Sequence, residues 1–192
     1  SILMIKGDIM SNKLLLGVAR GDITPEVGCN LFGYRPDLYS ESVNDNLTAT
    51  VFAFMQGEDK FVLITVCVCI LDTKITDELR KLISEKHSVK KGNIIICATH
   101  THSGPATIDM PGWGGIDMPY YEGIMKPVIL KAVDEAFSEA QPVTMGVSVG
   151  KSDLGINRRQ LNIDNSVGLG QCDWAPYNPR MTVICFKNES GE

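Results

Sequence analysis

The sequence predicts a mixed α/β fold, with a β-sheet flanked by helices and long loops that form a site. Three observations predict it. Short runs rich in Val, Ile, Phe and Thr are typical of strands. Two segments repeat apolar residues at helical spacing. The strands and helices alternate along the chain, which is typical of βαβ crossovers packed in layers.

The strand assignments depend on β-branched and aromatic enrichment between turn residues. The predicted strands are residues 14–19, 50–55, 61–70, 93–98, 143–149 and 181–186. The run 61–70 is the most apolar, and its length suits a strand inside a sheet. The chain therefore has enough strand for one substantial sheet.

Two helices are predicted between these strands. Asp72 is expected to cap a helix that extends to Lys86, with Ile75, Leu79 and Ile83 on its buried face. A second helix is predicted over 120–138, where a broad apolar face includes Val128. The remaining long tracts, 24–46, 103–119 and 151–179, are predicted loops. Loops of this length in a compact domain tend to build sites.

Composition and charge exclude several classes of protein. The net charge of −5 and the lack of a strongly basic cluster argue against a nucleic-acid partner. No apolar run approaches the roughly 20 residues that cross a bilayer, so no transmembrane segment is predicted. Four of the six cysteines lie in apolar runs and no CxxC pair occurs, which favours reduced thiols and the cytoplasm. No signal peptide is recognised, although a secreted location stays open.

The domain organisation is predicted to be simple. Residues 1–10 are interpreted as a leader or an added segment, because Met10 resembles a native start. Residues 11–192 show no repeat and no linker-like change of composition. A single domain of this length can bury a real core.

The segment CATHTHSGP, residues 97–105, holds two of the chain's three histidines. In an extended strand, residues i and i+2 project to one face, so His100 and His102 could present both imidazoles to one point. Histidine is the commonest metal ligand, but it also often ends a strand with its nitrogens satisfied by backbone or solvent. The spacing alone leaves both interpretations open.

Two other stretches are candidate substrate contacts. Residues 109–121 are rich in Gly and Pro, and the aromatic Trp113, Tyr120 and Tyr121 could line a pocket rim. An ordinary surface loop with one anchored Trp is the alternative. Arg158 follows Asn157 and could hold a substrate oxygen with its guanidinium fork, although adjacent arginines are more often solvated.

Several of these stretches together resemble the amino-terminal part of the neutral/alkaline, non-lysosomal ceramidase family. The matching segments are GVARGDITP (17–25), Gly33-Tyr34, NLTATVFAF (46–54), ATHTHSGP (98–105) and INR (156–158). They occur in the family's order and cover most of the chain. THTHSGP is specific in this context, whereas INR alone would be weak. The resemblance makes residues 11–192 the amino-terminal portion of a ceramidase-like catalytic domain.

The resemblance implies a zinc-dependent amidohydrolase that cleaves the N-acyl bond of ceramide, or of a related N-acyl lipid, to a sphingoid base and a fatty acid. It implies that His100 is a Zn²⁺ ligand, that His102 lies beside the metal and the reacting amide, and that Arg158 lines the same site. The family's other ligands, a His, a Glu and a Tyr, follow the matched region, and no histidine follows His102 here.

Two expectations follow for this chain by itself. Imidazoles without anionic partners form a poor site, so weak or absent zinc binding is expected. The alternative function is a non-catalytic module that binds a lipid or a glycan through its aromatic residues. If further sequence completes the sheet, strand 181–186 would leave an open edge through which the chain self-associates.

Overall fold

The computed structural model describes residues 3–4 and 13–191. These form two compact units, one of residues 13–143 and the other of residues 3–4 with 144–191. The leader predicted over residues 1–10 lies outside the described residues except for Leu3–Met4, which form a short strand.

The strands are β1 (Leu3–Met4), β2 (Leu15–Asp22), β3 (Thr48–Gln56), β4 (Asp59–Val66), β5 (Ile94–Ala98), β6 (Gln141–Pro142), β7 (Thr144–Lys151), β8 (Arg159–Leu161), β9 (Val167–Leu169) and β10 (Arg180–Lys187). The helices are α1 (Thr73–His87), α2 (Met118–Tyr120) and α3 (Lys126–Ser138). A 3₁₀ turn spans Lys91–Asn93, and a π-helical turn spans Tyr121–Met125.

The unit of residues 13–143 is built on a five-stranded mixed sheet in the order β5-β4-β3-β2-β6. Its strands pair antiparallel except for β4 and β5, which are parallel and are joined through α1. The predicted βαβ crossover and the mixed α/β class are therefore confirmed. In a parallel pair the two carboxyl ends lie at the same edge of the sheet, so whatever follows Val66 and Ala98 is brought together there.

One face of this sheet is the core. Val51, Ile64 and Ile96 occupy one row across β3, β4 and β5, and each is less than a tenth exposed. Against this face lie fully buried residues of the helices, such as Leu79 of α1 and Ile129 of α3. The alternation of buried residues has the period of two that a half-covered sheet requires.

Two glycines of β2 allow α3 to approach the sheet closely. A Cβ on Gly17 would overlap the carbonyl oxygen of Ala136, and a Cβ on Gly21 would overlap Cγ1 of Val128. The glycines of the GVARGD segment are therefore explained by helix packing, because only a residue without a side chain leaves room for the backbone of α3.

The first predicted helix is confirmed. Asp72 caps it by accepting a hydrogen bond from the Lys74 backbone N–H. The second predicted helix is interrupted, because α3 begins only at Lys126, and the π-helical turn before it places the Tyr121 side chain 1% exposed in the core. The strand predicted over 61–70 ends at Val66. The chain bends there, and the carbonyls of Val66 and Val68 accept hydrogen bonds from the backbone N–H groups of the two residues that follow β5 closely, Thr99 and His100.

The second unit contains an antiparallel sheet in the order β1-β7-β10. β10 pairs with β7 over all eight of its residues, which places the predicted strands 143–149 and 181–186 correctly. The tract 151–179 is less irregular than predicted, because β8 and β9 form a hairpin inside it. Within residues 3–4 and 13–191, no helix is long and apolar enough to span a bilayer.

Candidate metal centre

The centre forms where β4 and β5 end side by side. The backbone N–H of Thr99 donates to the Val66 carbonyl at 3.0 Å, and that of His100 donates to the Val68 carbonyl at 3.0 Å. The chain after β5 is thereby fixed to the chain after β4. Both segments are held by backbone hydrogen bonds, so the position of His100 is set by the sheet.

His100 does not continue the strand. β5 ends at Ala98, and His100 has φ 67°, in the left-handed region that few non-glycine residues adopt. The two imidazoles do meet, but the extended-strand reason predicted from the sequence is wrong. Residues held in such conformations cluster at functional sites, where the surrounding structure maintains them.

The tautomer of His100 follows from its partner. Its Nδ1 lies 2.8 Å from the carbonyl oxygen of Cys69, which can only accept a hydrogen bond. Nδ1 therefore carries the proton, and the lone pair of the ring is on Nε2. A backbone carbonyl on the far ring nitrogen is the arrangement that orients metal-binding histidines.

His102 is positioned by the loop of residues 24–46. Gly33 has φ 128°, and a Cβ there would lie 2.5 Å from Cγ of His102, so the ring packs directly on the glycine backbone. The Tyr34 ring meets His102 edge to face, with centroids 4.9 Å apart. The bridge between Phe32 and Gly104 ties this loop to the histidine segment.

The two ring nitrogens suit one metal ion. Nε2 of His100 and Nε2 of His102 are 3.4 Å apart. Two nitrogens at Zn–N distances near 2.0–2.1 Å in a tetrahedral site lie about 3.3 to 3.4 Å from each other, so the spacing fits zinc. With the sulfur of Cys69, the ligand atoms of these residues all lie within 4.8 Å of one another.

Cys69 is the site residue that sequence reasoning missed. Its position in an apolar run predicts only a reduced thiol, and the side chain is 3% exposed. Burial raises the pKa of the Cys69 thiol. The position of Cys69 in the chain could have indicated that it lies near His100. Cys69 follows β4 as His100 follows β5, and the carboxyl ends of parallel strands lie at the same edge of a sheet.

The structure places the predicted substrate-binding aromatics differently. Tyr120 is 4% exposed and its hydroxyl donates to the Ile23 carbonyl, while Tyr121 is 1% exposed and its hydroxyl donates to Glu78. Both rings belong to the core, not to a pocket rim. Trp113 is half-buried against Phe32, with centroids 5.1 Å apart.

Arg158 lies in the other unit, just before β8. Its side chain is exposed, and its Nε donates to the Gly170 carbonyl at 2.7 Å. This hydrogen bond holds the guanidinium group against the backbone at Gly170. Its predicted catalytic role stays a prediction.

Acidic side chains near the histidine segment have structural partners. Asp109 accepts from the Ile116 backbone N–H and from Lys74, and these contacts lower the pKa of its carboxyl. Asp117 caps α2, accepting from the Tyr120 backbone N–H at 3.0 Å. Among the described residues, the side chains grouped closely enough to hold a metal ion are those of Cys69, His100 and His102, and no carboxylate belongs to this group.

Fold and site together define an α/β protein with a histidine centre at the edge where parallel strands end. The family described as "Neutral/alkaline non-lysosomal ceramidase, N-terminal" matches residues 14–164. The match covers most of the chain. The chain belongs to this family, as the resemblance of its motifs predicted.

Individual relatives agree. Neutral ceramidase A of Dictyostelium discoideum is 25% identical over 188 aligned residues, covering 92% of this chain and 26% of the relative. Neutral ceramidase B of the same organism is 26% identical with the same coverage. This chain therefore spans about a quarter of the length of these relatives.

Solved structures share the fold. The crystal structure of neutral ceramidase from Pseudomonas aeruginosa aligns with a TM-score of 0.75 at 18% identity, over 94% of this chain and 30% of that one. A structure titled "Ceramidase complexed with C2" aligns with a TM-score of 0.77 at 19% identity and the same coverage. At these identities the likeness establishes the fold alone.

Proposed function

We propose that this chain contributes part of the active site of a zinc-dependent amidohydrolase that cleaves the N-acyl bond of ceramide or a related N-acyl lipid. The products would be a sphingoid base and a fatty acid. Family membership supports the reaction class. The observation that carries the proposal is the 3.4 Å separation of the Nε2 atoms of His100 and His102.

His100 is the proposed zinc ligand, through Nε2. Its Nδ1–H is committed to the Cys69 carbonyl, so the ring cannot turn its protonated nitrogen toward the metal. When bound, zinc polarises the acyl carbonyl and makes water nucleophilic at neutral pH. In this proposal, the contacts of His100 within the chain keep the lone pair of its Nε2 directed at the metal position.

His102 is the proposed proton-transfer group. It is half-buried and packed between Gly33 and Tyr34, so its Nε2 stays beside that of His100. From that position it would donate a proton to the leaving amine or stabilise the oxyanion of the tetrahedral intermediate. The rigid contact with Gly33 limits its freedom, which favours a reactive orientation.

Two other residues complete the proposal. Arg158 would hold substrate oxygens through its remaining guanidinium N–H groups, since only Nε is engaged with Gly170. Trp113, half-buried against Phe32, would offer its remaining surface to the apolar part of a lipid. Tyr120 and Tyr121 are not part of the proposed site, because both are buried.

The test uses the complete gene product that carries this sequence, loaded with zinc and assayed on ceramides and simpler N-acyl amides. A neutral ceramidase of known activity is the positive control. His102→Ala is expected to lower kcat/KM by roughly 10²- to 10⁴-fold, the range for loss of a general acid or base. His100→Ala should also lower zinc content.

The third histidine provides a matched control. His87, the last residue of α1, hydrogen-bonds Asp134 of α3 and stacks on Phe137, away from the centre. His87→Gln should leave kcat/KM nearly unchanged. If the zinc-loaded protein cleaves none of the amides that the control enzyme cleaves, the assignment fails. Lipid binding without turnover would instead favour the non-catalytic module.

A further inference from the structure

We propose that the second face of the five-stranded sheet, opposite α1 and α3, is a docking face for a further layer of the same polypeptide, supplied by sequence outside these 192 residues. One row of paired side chains across four strands defines this docking face: Val18, Phe52, Leu63 and Ile95. The inference goes beyond the proposed function and does not depend on the reaction that the protein catalyses.

The strand register places the four residues on one face. Val18 of β2 pairs with Phe52 of β3. Phe52 pairs with Leu63 of β4, which in turn pairs with Ile95 of β5. Directly paired residues project to the same side of a sheet, and the next residue of each strand projects to the other side. Gly17, next to Val18, meets α3, so the docking face points away from that helix.

The docking face is apolar and open. Val18 and Ile95 are each 47% exposed, and Phe52 and Leu63 are partly exposed between them. An antiparallel sheet with one face in water normally carries polar side chains on that face, whereas strands covered on both faces are apolar on both. Contiguous exposed apolar side chains mark an interaction site, unlike single ones. The composition of this face is therefore that of a covered face.

A hollow at one end of the docking face suits a packed layer. Leu14, Phe54 and Phe61 are among its lining residues, and the ring centroids of Phe54 and Phe61 are 5.8 Å apart. Phe54 and Phe61 form the row next to Phe52 and Leu63. The hollow has a volume of about 180 Å³, and an apolar cavity of about 150 Å³ already admits benzene. One aromatic or branched side chain of a covering layer therefore fits there.

The size of the face favours the same polypeptide over a separate partner. Four strands at about 4.8 Å spacing and two rows about 6.6 Å apart give a face of roughly 250 Å². A stable complex of separate proteins needs about 800 Å² on each partner. A layer joined to this chain docks at a high effective concentration and needs less area. This chain spans 26% of the Dictyostelium relatives, so proteins of that length have ample further sequence for such a layer.

The charge of the face excludes a lipid surface as the preferred occupant. The two apolar rows contain no charged residue, although 21% of the chain is charged. Arg20 lies in the next row, and its Nε donates to Oγ1 of Thr50 at 3.1 Å. Protein surfaces that lie on membranes combine an apolar face with several lysines and arginines. A single arginine engaged within the sheet does not provide that pattern.

The docking face extends to the histidine centre. β5 carries Ile95 on this face and ends at Ala98, two residues before His100. A layer over the face would therefore border the centre. Exclusion of water from one side of a site strengthens the electrostatic interactions inside it.

The experiment measures how fast cysteines on the docking face react in the complete gene product that carries this sequence. Cys97 follows Ile95 by two residues on the same strand face and is exposed in this chain, so it needs no substitution. Val18→Cys and Val43→Cys add matched reporters, because the two valines are 47% and 46% exposed but Val43 lies in the loop of residues 24–46. The native protein reacts with a water-soluble maleimide, and peptide mass spectrometry identifies each labelled cysteine.

Cys97 and the thiol introduced by Val18→Cys should react at least about tenfold more slowly than the thiol introduced by Val43→Cys, because they react only when the covering layer opens. This protection should not change on dilution, because the layer belongs to the same polypeptide.

Equal labelling of all three positions, or a gene product no longer than 192 residues, would overturn the proposal. Protection that disappears on dilution would assign the face to a second copy and would overturn it as well. The assay contains no substrate, so protected cysteines in a protein without amidase activity would refute the proposed function and leave this inference standing.

Discussion

The two units of the chain use their strands in opposite ways. In the unit of residues 13–143, alternate residues of the sheet are buried beneath α1 and α3, and Ile64 and Ile129 are completely buried. In the unit of residues 3–4 and 144–191, all but one residue of β10 is exposed, including Ile184 at 54%. Backbone pairing is equally regular in both, so regular strands alone do not make a core.

The difference explains where a precise site can form. The histidine centre lies at the end of the buried sheet, where the backbone after β4 and the backbone after β5 hold each other. Arg158 instead lies on an exposed segment and is fixed by the Gly170 carbonyl. Side chains are held accurately where packing leaves them few alternatives.

The largest expected effect is on stability. Ile129→Ala removes a fully buried side chain of α3 and should lower the free energy of unfolding by about 2–5 kcal/mol. Ile184→Ala makes the same change on β10 and should cost no more than about 0.5 kcal/mol, the usual range for surface positions. Urea unfolding followed by circular dichroism measures both.

Each variant checks the other. Equal losses would mean that β10 is as well packed as α3, and the contrast between the units would be wrong. A small loss at Ile129 with a large loss at Ile184 would reverse it. The same measurement shows whether the transition is single or has two steps.

Much of the fold could be predicted from the sequence. The capped helix from Asp72, the βαβ crossover and the principal strands follow from periodicity and capping, which are local properties. The error at 61–70 arose because Cys67 and Cys69 continue the apolar composition after the strand has ended at Val66. Amino-acid composition does not indicate the long-range backbone hydrogen bonds that end the strand at this point.

The site was only partly predictable for a related reason. His100 and His102 stand out because they are two apart in a chain with three histidines. Cys69 stands 31 residues before His100, and only the parallel pairing of β4 and β5 brings them together. The sequence predicts Tyr120 and Tyr121 at a pocket rim, but α2 and the π-helical turn after it, which sequence periodicity does not indicate, place both rings in the core.

The next effect concerns the loop that positions His102. Gly33→Ala should destabilise the chain by roughly 1–3 kcal/mol, because its φ of 128° strains any L side chain. It should also lower kcat/KM of the complete, zinc-loaded gene product on N-acyl amides, because the new Cβ displaces the His102 ring that it would meet at 2.5 Å. Thermal unfolding and the amidase assay report the two effects separately.

Gly28→Ala is the matched control. Gly28 also has a positive φ, 95°, but a Cβ there meets nothing within 4 Å. It should cost about 1–2 kcal/mol of backbone strain and leave kcat/KM nearly unchanged. If Gly28→Ala lowered kcat/KM as much as Gly33→Ala, the loop would act through general destabilisation and not through the ring contact.

The smallest expected effect is weak self-association of the chain through β10. Within residues 3–4 and 13–191, β7 pairs with one edge of β10 and no strand pairs with the other. Val183 and Ile184 are about half exposed on this strand. An open edge with apolar side chains is a template for a second copy, although each hydrogen bond exchanged with water contributes only about 1 kcal/mol.

Light scattering over a concentration series tests this, because the mass should rise above the 21.0 kDa of the monomer as concentration increases. Val183→Lys should hold the mass at the monomer value, since lysine on an edge strand opposes pairing. Leu169→Lys makes the same change in charge at an 85% exposed position of β9 and should leave association intact. A mass that stays at the monomer value in the wild type would contradict the open edge as an interaction surface. Loss of association in both variants would mean that the added positive charge, and not the edge of β10, controls association. Only an effect confined to Val183→Lys supports pairing through β10.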